Sequence, residues 1–332
     1  MLTYDFGCLG AARCSLESFD ATMSREGSRL QSATAREGTG GKMIASVADA
    51  ITGTDDADFI RTTAGDDVVD ALGGDDYIIG SRGSDIVDGG SGVDELVFFR
   101  NQGFTTINGD RSFTFGPASI ADSAGEIDTS FSNLETIELA GTFATGETRV
   151  DASALAGSFG VTVQVSGPNL RLTGSGQADM LVARDGISTV DGGGGTDSLF
   201  IFSSGDGLSV VDGGSGADHL TVGFGRSDPM TITRQGAAVI FSDDVARVTA
   251  SNVESFTVET PANVSGIIDA SQADFAVHFN VTGGDVVIGG SSDDIFDNQL
   301  ADSPGGDRMT GGAGADQYWY IANYASVGDP IQ

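Results

Sequence analysis

A nine-residue period runs through this chain from Gly53, and a period of that length leaves few folds open. The first block reads GTDDADFIR, TTAGDDVVD, ALGGDDYII, GSRGSDIVD and GGSGVDELV without a gap over residues 53–97. The second covers 174–200 (GSGQADMLV, ARDGISTVD, GGGGTDSLF) and, after three inserted residues, 204–221 (SGDGLSVVD, GGSGADHLT). The third has NVTGGDVVI and GGSSDDIFD over 280–297, then DSPGGDRMT and GGAGADQYW over 302–319. Position 8 is apolar in all fourteen units, position 6 is Asp in twelve, and position 4 is Gly in eleven. A flexible acidic linker has no reason to hold three columns in register.

Glycines at positions 1, 2 and 4 permit the positive φ and close backbone approach that a six-residue turn requires. Positions 7 to 9 then form a very short strand with the position-8 side chain inward. Two units complete one turn of a flattened coil, so every second unit stacks on the same side. Position-6 aspartates recur there at strand spacing, about 4.8 Å. Unit charges that close repel by about 0.8 kcal/mol in water and several-fold more beside a low-dielectric surface. The whole chain amplifies the problem: 48 acidic residues against 16 basic give a net charge of −32. Such a chain repels nucleic-acid phosphate and has no basic patch for an anionic membrane. Its 39% apolar residues nevertheless give it material to bury. A hard divalent cation between successive loops removes the repulsion, and Ca²⁺ accepts six to eight oxygens from carboxylates and carbonyls.

The pattern GGxGxD followed by x-apolar-x resembles the haemolysin-type calcium-binding repeat of the RTX (repeats-in-toxin) family. Gly192–Phe200, Gly213–Thr221 and Gly311–Trp319 match it best. The resemblance implies an all-β chain, a parallel β-roll or β-helix solenoid, with calcium between stacked loops. It also implies export by a type I secretion machinery to the cell surface or beyond. Carried over by residue, it pairs Asp58 with Asp76, Asp76 with Asp94, and Asp67 with Asp85. In the second block Asp179 pairs with Asp197, and Asp197 with Asp218; in the third, Asp285 pairs with Asp307 and Asp294 with Asp316. Loop backbone at Gly65, Gly74, Gly83, Gly92, Gly192, Gly195, Gly213, Gly216, Gly311 and Gly314 completes the sites. Ser188 and Ser209 stand at position 6 on the other side of the second block, so metal is expected there on one side only. These are about seven candidate calcium sites. Because each coil buries only about two medium side chains, the roll needs a staple, and folding is expected to depend on the metal.

A longer repeat overlies the short one. Ser132-Asn133-Leu134-Glu135 echoes Ser251-Asn252-Val253-Glu254, and Val161-Thr162-Val163 echoes Val277-His278-Phe279. The expected organisation is an extension over 1–42, repeat blocks over 43–97, 173–221 and 280–332, and β-rich spacers over 98–172 and 222–279. The extension differs from the rest, carries both cysteines (Cys8 and Cys14) as expected free thiols, and is expected to be disordered. Its start is a poor secretory signal, and no stretch is apolar enough to span a bilayer. Trp319 with Tyr318, Tyr320 and Tyr324 is expected to cap the last coil, a carbohydrate-binding platform being the alternative.

Catalytic motifs are missing: there is no HExxH, GxSxG or P-loop. The expected function is therefore a non-enzymatic, extracellular calcium-binding protein, structural or adhesive, with cell-surface polysaccharide or like subunits as further partners. A uronic-acid polymer epimerase or lyase using a solenoid face, with Arg149, Arg171 or Arg184 lining it, is the competing reading. The short tail after Trp319 leaves open a third, a fragment of a larger RTX toxin or enzyme.

Overall fold

The structure is a computed structural model that describes residues 22–26, 29–36, 42–45, 50–98, 111–116, 118–203, 207–225, 229–243, 245–260, 266–282, 284–300 and 307–320. Cys8, Cys14 and Tyr324 lie outside these, as does most of the expected N-terminal extension; its described parts include the antiparallel pair Thr22–Glu26 and Arg29–Arg36.

The described residues are all-β and form a parallel solenoid of about 11 turns. Among the described residues two sheets of 15 and 16 strands form its two faces. No helix there is long and apolar enough to cross a membrane. Successive coils contribute one strand to each sheet, and the register fixes the stacking. In the first block Ile60 pairs with Ile78 and Ile78 with Leu96, an offset of 18 residues, or two units. The opposite sheet does the same through Val69 and Val87. The three-residue insertion in the second block is absorbed without losing register, since Leu199 pairs with Leu220. Every one of these position-8 side chains is buried. Pairing like with like at the strand spacing builds continuous apolar rows from a core only two side chains thick.

The spacers are also solenoid turns, but each carries an insertion. Arg111–Gly116, Ser119–Asp122 and Asp128–Ser132 form an antiparallel meander whose outer strands pair in parallel with the coils on either side. Met230–Gln235, Ala238–Ser242 and Ala246–Ser251 repeat the arrangement. Alternating apolar residues announce these strands, as in Phe113-Thr114-Phe115, but alternation does not distinguish parallel from antiparallel neighbours.

Toward the C-terminal end the core row becomes aromatic. Phe279 stacks on Phe296 with centroids 5.0 Å apart, and Phe296 on Tyr318 at 4.9 Å and 9°. Trp319, next to Tyr318, points outward and is 60% exposed. Removing the middle ring takes away both stacks and leaves a cavity. Phe296→Ala should therefore lower unfolding free energy by about 3–5 kcal/mol in calcium-containing buffer. Denaturant titration measures this, and a loss below about 1 kcal/mol would mean that the row is not packed as described.

Candidate metal centre

Each position-6 aspartate enters its coil where the six-residue loop turns into the strand. Where another position-6 aspartate stands one coil earlier, one carboxylate oxygen, Oδ1, accepts its backbone N–H. Asp76 receives it from Asp58 (2.7 Å), Asp94 from Asp76 (2.9 Å) and Asp85 from Asp67 (2.9 Å). Asp197 receives it from Asp179 and Asp218 from Asp197, both at 2.9 Å. The third block follows, with Asp307 accepting from Asp285 (2.8 Å) and Asp316 from Asp294 (3.0 Å). All seven sequence-derived pairs are thus adjacent, including those interrupted by inserted residues. Every one of the twelve aspartates except Asp316, which is half-buried, is buried. Ser188 and Ser209 reproduce the contact without charge: Ser188 N–H donates to Ser209 Oγ at 3.0 Å.

The second oxygen, Oδ2, divides nine of the loops into two kinds, while in Asp85 it accepts from the Thr62 hydroxyl at 3.4 Å. In Asp58, Asp67, Asp179 and Asp294 it accepts the N–H of position 2 in its own loop, from Thr54, Thr63, Ser175 and Gly290. In Asp76, Asp94, Asp197, Asp218 and Asp285 it is buried without a hydrogen-bond partner. Backbone at position 2 accounts for four of these five. Leu72, Gly90, Gly193 and Gly214 all have positive φ, between 70° and 94°, so the position-2 N–H is not delivered to the carboxylate. Leu72 adopts this conformation without glycine's freedom, at a cost of about 1–2 kcal/mol. Asp307 Oδ2 accepts from Asn298 Nδ2 (2.6 Å).

Predicted loop glycines line the same spaces. A methyl on Gly192 would strike both Asp197 Oδ2 and the Gly213 carbonyl, and one on Gly213 would lie 2.7 Å from Asp218 Oδ2. Gly311 abuts Asp316 Oδ2 in the same way. Position-4 glycines Gly74, Gly83, Gly92, Gly195, Gly216 and Gly314 have φ between 103° and 150° and pack on the loop below. Gly83, for example, faces the backbone of Gly65. A second, exposed tier joins position 5, where Asp66, Asp75 and Asp293 accept N–H groups from Ser84, Val93 and Ala315.

Carboxylates in this setting hold protons unusually tightly. Burial, then neighbouring aspartates, pushes Asp76 up to about 6 and Asp197 up to about 7; burial and Asp67 push Asp85 up to about 6. Burial also raises Asp94, Asp179, Asp218, Asp285 and Asp294. Orphaned, buried, anionic oxygens beside backbone carbonyls fit a hard cation better than any other group. Among the described residues no three His, Cys, Asp or Glu side chains converge on one point. A cation held here would need backbone oxygens beside the carboxylates, a donor set that suits calcium better than zinc.

Two acids missed by the repeat pattern join the ladders. Glu135 Oε2 accepts the Asp94 N–H and Glu254 Oε2 the Asp218 N–H, both at 2.7 Å. The echo of Ser-Asn-x-Glu in the sequence was the available signal. Elsewhere, Arg149 and Arg171 are paired in one sheet and Arg184 lies in the other, over the Phe202 ring at 4.4 Å. The three do not share a face. His219 hydrogen-bonds Ser255 through Nδ1 (2.8 Å), and its pKa is lowered by burial and by His278.

The family model for the RTX calcium-binding nonapeptide repeat matches residues 52–87, 62–96, 173–200, 201–227 and 295–320. Comparison with curated proteins finds no match.

Raised carboxylate pKa values set the pH response of the metal-free protein. The folded state holds protons that the unfolded chain, with aspartates near about 3.9, has released. Their contribution is present at acid pH and is lost as pH rises through about 6 to 7. In chelator, strand signal by circular dichroism should persist near pH 5 and be lost by pH 8, and Asp197→Asn should retain more of it at pH 8. Strand signal in chelator that grows from pH 5 to 8 would contradict the assignment.

Proposed function

From a chain that carries RTX calcium-binding nonapeptide repeats, we propose a calcium-stapled β-solenoid that acts outside the cell in a structural or adhesive role. The observation that supports it most is the set of buried Oδ2 atoms of Asp76, Asp94, Asp197, Asp218 and Asp285. Leaving an ionised oxygen dry and unpartnered costs several kcal/mol. In this reading Asp76 and Asp94 hold one ion, Asp197 and Asp218 a second, and Asp285 and Asp307 a third, each with loop carbonyls. Bound calcium supplies positive charge and six to eight oxygen contacts. The chain's part is to present oxygens from two coils at once, so that binding requires both to be stacked.

Loops of the other kind, at Asp58, Asp67, Asp179 and Asp294, hold their carboxylates with their own N–H groups and bind more weakly or not at all. Three well-formed sites in place of seven still couple folding to metal, because no site exists in the unfolded chain. Extracellular calcium modules have Kd near 10⁻⁴–10⁻³ M. At cytosolic calcium the chain stays loose and threadable for type I export; at millimolar calcium it locks.

Far-UV circular dichroism and Trp319 fluorescence during a calcium titration test the coupling. Strand signal should appear cooperatively between about 0.1 and 1 mM calcium and vanish with EDTA. Asp197→Asn should shift the midpoint upward, and a spectrum indifferent to EDTA would refute the proposal. A structural or adhesive role further predicts calcium-dependent self-assembly or cell attachment; turnover of a uronic-acid polymer would favour the enzymatic alternative instead.

A further inference from the structure

The first two ladders end on the same turn, Ser132-Asn133-Leu134-Glu135 in one case and Ser251-Asn252-Val253-Glu254 in the other. Neither turn is a nonapeptide. Ser132 pairs with Asp88 and Thr136 with Glu95, so Asn133, Leu134 and Glu135 cover the span for which the loop below uses Gly89–Asp94. Ser251 pairs with Asp212 and Ser255 with His219, which sets Asn252–Glu254 against Gly213–Asp218 in the same way. A six-residue loop has been contracted to three. Asn133 and Asn252 make the sharp turn, both with φ of 51°, and each donates through Nδ2 to an aspartate below, Asp88 or Asp212, at 2.7 Å. The glutamate stands in register with position 6. Its additional methylene compensates for the shortened backbone, so its carboxylate still reaches the N–H of Asp94 or Asp218 at 2.7 Å.

The aspartates beneath provide an independent observation. Asp94 is 1% exposed and Asp218 0%, and Oδ2 of each has no hydrogen-bond partner. A methyl on Gly213 would lie 2.7 Å from Asp218 Oδ2, with the Asn252 carbonyl oxygen against the same point. On Gly89 it would lie 2.9 Å from Asp94 Oδ2, again beside the Asn133 carbonyl. These asparagine carbonyls occupy the place that the Gly213 carbonyl takes above Gly192. A buried anionic oxygen, a carbonyl and a second carboxylate therefore lie together at both ladder ends.

We propose that the two contracted turns are closing half-sites, each completing a calcium site outside the repeats. One ion lies between the Asp94 loop and Asn133–Glu135, the other between the Asp218 loop and Asn252–Glu254. This rests on the reading of the aspartate ladders as calcium sites and adds two ions to them. The meanders acquire a purpose as well, because each returns the chain to the open end of a ladder and supplies the missing oxygens.

Equilibrium dialysis of the full chain against radioactive calcium counts the ions. Glu135→Gln and Glu254→Gln keep an acceptor for the aspartate N–H and remove only the charge. Each should lower the bound count by one at millimolar calcium, and the double variant by two, with the circular dichroism of the calcium-loaded protein preserved. An unchanged count in both variants, alongside a reduced count in Asp197→Asn, overturns this inference alone; a native protein that binds no calcium overturns the ladder reading with it. Crystals of the native chain grown in calcium chloride decide the matter if the variants do not fold. Calcium density between Asp218 and Glu254 supports the proposal, and density confined to the Asp197–Asp218 gap overturns it.

Discussion

The contact on which the structure depends is a single hydrogen bond repeated up the stack, from the N–H of one position-6 residue to a carboxylate oxygen one coil later. It fixes the offset of 18 residues in the first block and survives offsets of 21 and 22 where residues are inserted. Ser188 and Ser209 show that a hydroxyl satisfies the same N–H. Packing alone does not need a charge there. The carboxylate brings a second oxygen, and that oxygen is a liability in a dry loop unless something positive or proton-bearing meets it.

Two answers to that liability are built into the backbone. At the start of the first two blocks Thr54, Thr63 and Ser175 turn their N–H and hydroxyl groups onto the carboxylate. Further along, a positive φ at position 2 withdraws the N–H and leaves the oxygen without a hydrogen-bond partner. In the first two blocks the side that begins at Asp58 or Asp179 therefore has a direction: a self-satisfied first loop, loops with an unpartnered Oδ2 above it, and a contracted Asn-x-Glu turn on top. The third block departs from it, with Asp285 unpartnered and Asp294 self-satisfied. The thin core gains from this arrangement, since each ion would tie two coils whose apolar contact is a few side chains per sheet, such as Leu199 on Leu220 and Ile201 on Val222.

Much of this was legible in the sequence because a solenoid converts spacing directly into contact. Position-8 residues such as Ile60, Ile78 and Leu96 had to stack once two units made a turn, and the aspartate pairs followed. Other features were not legible. Phe113-Thr114-Phe115 identifies a strand but not the antiparallel meander around it, because its period of two is common to both pairings. Glu135 and Glu254 escaped because contraction of their loops removes them from the nine-residue frame. The division of aspartates by the fate of Oδ2 depends on φ at position 2, and Leu72 shows that residue identity does not dictate it.

Hydrogen–deuterium exchange with and without calcium addresses the central claim most directly. If cations close the ladders, amides over 71–97 and 192–221 exchange quickly in chelator and become protected together when calcium is added. Equal, strong protection of these loops in both conditions would contradict it.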